Sequence, residues 1–263
     1  MNEKQRRAPR LPVHTIRPGR EQPHITPGEF VEYALARRGL ARTDAGVGTA
    51  VIMSWVPTED FIKTAAATAA PLGMYQLQTG GSVSLLHAHV GAPGAVAQVE
   101  EMAALGARAV LGVGLCGSLQ PDLPVGSLVI AGESIRDEGT SHHYLGARAK
   151  VGPTARAVAA LRQAGADDAR LGRHWTTDAP YRETRDKIRR HVAQGVTSVD
   201  MEASAIYAVA RCRRLETAML LVVSDELWRE PWRPAFHEVA AVTGRALEIA
   251  WRAAQILAAT PPG

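Results

Sequence analysis

Gly195–Trp228 reads GVTSVDMEASAIYAVARCRRLETAMLLVVSDELW, and its pattern decides the fold. Val196–Val199 is a short β-type run, followed by Asp200-Met201-Glu202. An apolar helix pattern then runs from Ala203 to about Arg214. A second apolar run, Ala218–Val223, ends in Ser224-Asp225-Glu226. Runs of four to six apolar residues without polar alternation predict strands buried on both faces, as in a parallel sheet. A helix joining two such strands predicts a βαβ unit. Ligand crevices of open α/β sheets lie at the carboxyl ends of the strands, where Asp200, Glu202 and Asp225 fall. The same residues have a plainer reading: Asp200 as an N-cap, Glu202 as an acid favoured by the helix dipole, Asp225 as the next cap.

Composition narrows the classes. The 263 residues are 46% hydrophobic, enough for one large α/β domain with a substantial core. The formal charge of +4 is accounted for by the first 23 residues, where Lys4, Arg6, Arg7, Arg10, Arg17 and Arg20 stand against Glu3 and Glu21. Residues 1–21, with Pro9, Pro12 and Pro18 among these arginines, read as a flexible basic leader. The body, 22–263, reads as one catalytic-size domain without a linker or repeat. No aromatic-interleaved basic patch points to nucleic acid. No apolar stretch has the length of a membrane span, and no signal-peptide pattern is present. Cys116 and Cys212 lack metal or CxxC spacing, so a reduced, cytoplasmic protein is expected.

Taken in order, a helix is expected from Gly28 to about Arg38, a buried strand at Thr49–Met53, and a helix over Thr58–Ala69 with Thr58 as its cap. A hairpin turning at Gly80-Gly81 follows, then a helix over Gly91–Leu105 and a strand over Ala107–Val113. The strand enters a glycine loop, Gly112-Val113-Gly114-Leu115-Cys116-Gly117-Ser118. Further on come a strand at Ser127–Ala131, the polar loop 135–144, a helix at Thr154–Ala164, a strand at Ala169–Thr176, the turn Thr177–Tyr181 and a helix at Glu183–Gln194. A long helix over 234–257 closes the chain. Strands alternating with helices predict a single three-layer α/β domain.

By itself the glycine loop is either a close-approach surface for a ligand or a tight turn. It lacks both the GxGxxG spacing and the lysine of a phosphate loop. In combination the segments are more specific. Gly114-x-Cys116-Gly117-Ser118, Arg136-Asp137-Glu138-Gly139, Thr177-Asp178-Ala179-Pro180-Tyr181, Asp200-Met201-Glu202-Ala203 and Val223-Ser224-Asp225, in this order, resemble the purine nucleoside phosphorylase / uridine phosphorylase superfamily. The resemblance covers residue 22 to the C-terminus. It implies a mixed, partly barrel-like sheet, cleavage of the N-glycosidic bond of a nucleoside, no cofactor, and assembly as dimers or trimers of dimers. It implies that Met201 and Glu202 hold the ribose, Glu202 on the 2′- and 3′-hydroxyls, and that Asp225 protonates or hydrogen-bonds the leaving base. Trp175 and Tyr181 would line the base pocket, Gly114, Cys116 and Gly117 would back base and sugar, and His24 would reach a neighbouring subunit's sugar site.

The departures from the family pattern matter as much. Where family phosphorylases carry Gly-Asp-Pro-x-x-Arg for phosphate, this chain has Trp55-Val56-Pro57-Thr58-Glu59. The arginine and hydroxyl of the glycine loop are replaced by Gly112 and Leu115, and residues 71–82 contain no arginine. A phosphate dianion held without these groups, beside a carboxylate, is costly. A nucleosidase is therefore expected, with water as nucleophile and Glu59 (or Asp60) to activate it. The alternatives are a phosphorylase with a relocated phosphate site at Arg136 or Arg182, and a non-catalytic nucleoside-binding protein. Purines are favoured because N7 requires a donor, and a pocket narrowed or reshaped by Trp55, Trp175 and Trp228 would admit a modified nucleoside as the alternative. Asp137, Glu138, His142 and His143 have metal-ligand chemistry, but the family loop here is polar without metal, and none is expected.

Overall fold

The computed structural model describes residues 23–59, 61–62, 68–72 and 75–259, with 68–72 and 75–79 described as backbone. The expected leader, residues 1–21, and Asp60 lie outside the described residues. Ten strands form one mixed sheet: β1 Ala50–Ser54, β2 Thr68–Leu72, β3 Tyr75–Gly80, β4 Val83–His87, β5 Ala109–Ser118, β6 Leu128–Asp137, β7 Arg170–Thr177, β8 Val196–Asp200, β9 Glu216–Glu226 and β10 Arg233–Pro234. The order is β10-β9-β6-β7-β8-β5-β1-β4-β3-β2, and β9 also pairs with β5. Strands β5, β9, β6, β7 and β8 thus close a ring, with β1, β4, β3 and β2 as an open wing.

The closure revises the reading of Gly195–Trp228. Strand, helix and strand are present as expected, but β8 and β9 are not parallel neighbours. β5 runs parallel to β9 and antiparallel to β8, and separates them. Gly117 is the joint, in register with Val199 of β8 and with Asp225 of β9, next to a bulge between Cys116 and Gly117. Bulges of this kind bend a strand and raise its twist, as a barrel corner requires. A Cβ at Gly117 would lie 2.1 Å from Leu227 Cδ1 and 3.3 Å from both Asp225 Oδ2 and Val199 Cγ1. Only a residue without a side chain lets the three segments meet there undisturbed.

The stretch expected as a glycine loop is consequently the second half of β5. Its glycines relieve packing rather than shape a turn: a Cβ at Gly112 would lie 2.1 Å from Met219 Sδ and 3.2 Å from Trp55 Cζ3. Other boundaries differ from expectation, and 135–137, expected as loop, continue β6. Thr68–Leu72 is strand rather than the tail of a helix, because it pairs antiparallel with β3. The last helix begins at Ala240, after Arg233–Pro234 joins β9 and Phe236–Glu238 makes a 3-10 turn.

The helices lie on both faces of the sheet: α1 Pro27–Ala36, α2 Ala92–Ala104, α3 Ala155–Gln163, α4 Arg185–Ala193, α5 Ala203–Arg213 and α6 Ala240–Ala259. α1 opens with a capping box between Thr26 and Glu29. Thr154 and Thr184 cap α3 and α4 by accepting from Ala157 N and Lys187 N. One core joins α1, α2 and α5 to Val51, Met53, Val110 and Met219; a second joins α3 and α6 to Ile52, Leu111, Ile130 and Leu220. Ala203–Ala210 is buried all round, as expected of a mainly apolar helix whose few hydroxyls, on Ser204 and Tyr207, are hydrogen-bonded. Tyr207 stitches α5 to the sheet, donating to Ala131 O at 2.6 Å and accepting from Met219 N at 3.2 Å. Among the described residues no helix is long and apolar enough to cross a membrane.

Candidate active site

The barrel closure opens into a mainly apolar cavity of about 1520 Å³. One wall is Trp55 with Gly114, Leu115, Cys116 and Gly117 of β5; a second is Asp200, Met201 and Glu202 after β8; a third is Ser224, Asp225 and Leu227 at the end of β9. Pro180, Tyr181 and Glu183 enter from the turn after β7, and Trp228, Trp232 and Phe236 from the segment that follows β9. Tyr181 stands fully exposed at the mouth.

Asp200 shows that the capping reading is correct for one acid. Its Oδ2 accepts from Ala203 N at 2.9 Å and its Oδ1 from Thr176 Oγ1 at 2.8 Å, while buried His174 places Nε2 3.0 Å from Oδ1. Glu202 does not cap. Its Oε1 reaches across to the start of α2 and accepts from Gly91 N at 2.6 Å. Burial, and then the charge of Asp200, push its carboxyl up to about 8, against the backbone hydrogen bonds from Gly91 and Met201. Glu202 therefore changes charge near neutral pH while it faces the cavity.

Asp225 is held on both oxygens. Ser224 Oγ donates to Oδ1 at 2.9 Å and Trp232 Nε1 to Oδ2 at 2.8 Å. Burial raises its carboxyl above the ordinary aspartate range, and these two donors oppose the rise. Trp232 is in place because Glu226, fully buried, anchors the segment after β9: it accepts from Val125 N and Arg233 Nη1, each at 3.1 Å, and pairs with Arg229. The Cys116 thiol is pushed well up by burial and by Asp200 and Asp225, so it is a small apolar wall residue rather than a nucleophile.

Of the sites expected from sequence, Asp225, Glu202, Met201, Gly114, Cys116, Gly117, Tyr181 and Trp55 come together around this cavity. Four do not. Trp175 is wholly buried and is not among the cavity-lining residues, donating Nε1 to Asp137 Oδ2 at 2.9 Å and stacking 4.3 Å from His191. It packs behind the wall, against Leu119, Val199 and Ile188, which face the cavity in its place. Arg136 is spent on a loop, donating to Ser141 Oγ, Leu145 O, Gly146 O and Ala149 O. Glu59 is exposed at the start of a helical turn, outside the cavity lining. His24 is exposed and also outside the cavity of its own chain. Asp137, Glu138 and His142 of the 137–143 loop have structural partners. Glu138 accepts from Ser141 N and Ser204 Oγ, both at 2.8 Å, and His142 Nε2 lies 3.4 Å from Arg136 O.

Sequence reasoning missed Glu183 and Trp232. Glu183 lies two residues beyond Tyr181, and the turn carrying both was visible; its helix-start position hid it. The Trp-Arg-Glu-Pro-Trp run over 228–232 signalled a non-helical strap, but nothing local showed that Trp232 would reach Asp225.

The crevice at the barrel closure thus holds three carboxyls of raised pKa, Glu183, Glu202 and Asp225, on largely apolar walls. A model of the Phosphorylase superfamily matches residues 59–260, and the chain belongs to that family. It is similar to a uridine phosphorylase of Treponema pallidum (32% identical over 162 residues; 56% of this chain and 63% of the relative). It is also similar to a guanosine phosphorylase of Halorubrum lacusprofundi (28% over 151 residues; 56% and 63%). The chain thus spans less than two thirds of the length of these two relatives. Among solved structures, the fold matches an AMP nucleosidase of Bacteroides thetaiotaomicron with a TM-score of 0.72 at 22% identity, over 89% of this chain and 98% of that one. It matches a purine nucleoside phosphorylase of Toxoplasma gondii with a TM-score of 0.74 at 22% identity, over 84% and 94%.

Proposed function

We propose that the protein cleaves the N-glycosidic bond of a nucleoside, a purine or modified nucleoside by preference, with water as the acceptor of the sugar. Glu202 binds the ribose hydroxyls, and this contact tightens as the ring becomes oxocarbenium-like. Asp225, its pKa raised by burial, supplies a proton or hydrogen bond to the departing base. Trp55 is the observation that carries water over phosphate. Its ring lies against the positions of Gly112 and Gly114, 3.2 and 3.5 Å from where their Cβ atoms would be, and its Nε1 donates to His89 O at 2.9 Å. Indole thus occupies the side of the cavity where the family resemblance places phosphate. The arginines that line the cavity are already paired, Arg185 with Glu230 at 3.3 Å, Arg189 with Asp186 and Arg229 with Glu226. A dianion would have to break these pairs or lie uncompensated. Attack on an oxocarbenium-like sugar makes modest demands on a base, so a water at this wall does not require Glu59.

The relatives named phosphorylases favour the second reading, phosphorolysis through a rearranged anion site. The test is base release from a panel of purine and pyrimidine nucleosides, with and without phosphate, following the sugar product. Free sugar at a phosphate-independent rate supports hydrolysis. Sugar 1-phosphate with strict phosphate dependence overturns it. Nucleoside binding without turnover identifies a binding protein. The same reading includes a second copy of the chain bringing exposed His24 to the sugar's 5′ end, which sedimentation of the His24→Ala variant and its KM would test.

A further inference from the structure

Glu202 stands at the N-cap position of α5, yet its side chain makes no cap hydrogen bond. The first four N–H groups of a helix have no partner within it, and a carboxylate placed beside them is drawn to them. In α5 all four are already taken. Ala205 N and Ile206 N donate to the backbone carbonyl of Glu202, each at 3.1 Å. Ala203 N donates to Asp200 Oδ2 and Ser204 N to Thr176 Oγ1, each at 2.9 Å. The Thr176 hydroxyl in turn donates to Asp200 Oδ1 at 2.8 Å. Two neighbouring strands thus supply the cap, Thr176 from β7 and Asp200 from β8, in register with each other. Both are buried, and so are His174 and Ser198 behind them: His174 places Nε2 3.0 Å from Asp200 Oδ1 and Nδ1 2.8 Å from Ser198 Oγ. With its own helix satisfied, the Glu202 carboxyl bonds elsewhere, to Gly91 N ahead of α2, and faces the cavity.

We propose that Thr176, acting with Asp200, is a positioning residue for Glu202: by holding the N–H groups of α5 it keeps the Glu202 carboxyl out of the helix cap and in the cavity. The role of Glu202 at the sugar hydroxyls rests on the nucleoside-cleaving reading above; its place in the cavity does not. Thr176 is not among the residues that line the cavity, so it acts through Glu202 and not on a substrate. The second helical residue, here Ser204, is a usual donor to an N-cap side chain. Removing the Thr176 hydroxyl frees that donor in a buried setting, where an unmet N–H is costly. Glu202, at the N-cap, is the residue placed to meet it. Turning back onto Ser204 N takes its carboxyl off Gly91 N and out of the cavity.

The experiment compares wild type with three variants of the full chain. Thr176→Val keeps the branched shape and loses the hydroxyl, Thr176→Ala loses it without branching, and Thr176→Ser keeps it. Crystal structures of the unliganded proteins report where the Glu202 carboxyl points. Kinetics report kcat/KM for the nucleoside of the panel that is cleaved fastest and for its 2′-deoxy counterpart. In Thr176→Val and Thr176→Ala the carboxyl should lie within hydrogen-bond distance of Ser204 N and have left Gly91 N. The ribo-to-deoxy ratio should fall about tenfold or more, the scale of losing a hydrogen bond to a charged group. Thr176→Ser should restore both, and Thr176→Val should add no further fall to the ratio of Glu202→Gln. A carboxyl that stays on Gly91 N in both hydroxyl-free variants overturns the proposal and leaves the cleavage reading intact. A moved carboxyl with an unchanged ratio supports the positioning and removes Glu202 from the sugar hydroxyls. A wild type that releases base from no nucleoside sinks the cleavage reading, and the crystal structures alone then decide what holds Glu202.

Discussion

Trp232 donates its indole N–H to Asp225 Oδ2 at 2.8 Å across a gap of seven residues, so the segment after β9 bears on the acidity of a carboxyl that lines the cavity. The hydrogen bond favours the carboxylate and works against the burial that raises the Asp225 pKa. Trp232→Phe keeps the apolar surface and removes the donor. Asp225 should then hold its proton to higher pH, and the basic limb of the kcat/KM profile for base release should move upward. A basic limb that stays in place would show that Trp232 only covers the site.

Asp225→Asn and Glu202→Gln should each lower base release by about two or more orders of magnitude, the scale of removing an acid or a transition-state contact. Glu202→Gln carries a second signature. In the fold its carboxyl keeps a proton up to about 8, whereas in the unfolded chain it releases it near the ordinary glutamate value. Between those values the native state binds more protons, so wild-type stability falls as pH rises through the window. Thermal melts from pH 5 to 9 should show that slope flattened in Glu202→Gln, with the variant gaining on wild type toward pH 9. Parallel curves would contradict the burial of this charge.

Glu59→Gln should leave turnover within about twofold, as for a surface substitution. The side chain is exposed and outside the cavity lining. A loss of a hundredfold or more would mean that the turn after β1 folds over the site in the working enzyme and that Glu59 activates the water.

Arg136→Ala should destabilise the fold by about 1–3 kcal/mol, because it strips donors from Leu145 O, Gly146 O and Ala149 O together. Arg136→Lys should recover little, since an ammonium cannot span the planar fork these acceptors require. KM should not change in the molecules that remain folded. A large KM change with an unchanged melting temperature would restore Arg136 to the site.

Most of the strands, the two-faced packing and the carboxylates at strand ends were legible from apolar runs and their boundaries. The registers that close the barrel were not. Ala109–Ser118 looks like a strand followed by a glycine loop because glycine is a local breaker, yet its glycines serve Met219, Trp55 and Leu227, residues 57 to 110 positions away or on another strand. Local pattern carries no information about such partners. Trp175 shows the same limit at the site: its type suits a base pocket, but Leu119, Val199 and Ile188, distant in sequence, stand between it and the cavity. Asp200 and Glu202, two residues apart, looked equivalent. One satisfies the helix and the other faces the cavity, and only the reach of Gly91 N to Glu202 separates them.

Gly117 pairs with β8 and β9 at once, so the strand ends that lead to Glu202 and carry Asp225 hang from one pivot. A displacement of that pivot moves Glu202 and Asp225 in the same direction, as common-mode drift, and leaves the span between them nearly constant. Under the proposed function, that span would seat the ribose at one end and the base at the other. The barrel closure therefore acts as a caliper, keeping its gauge while the walls around it breathe.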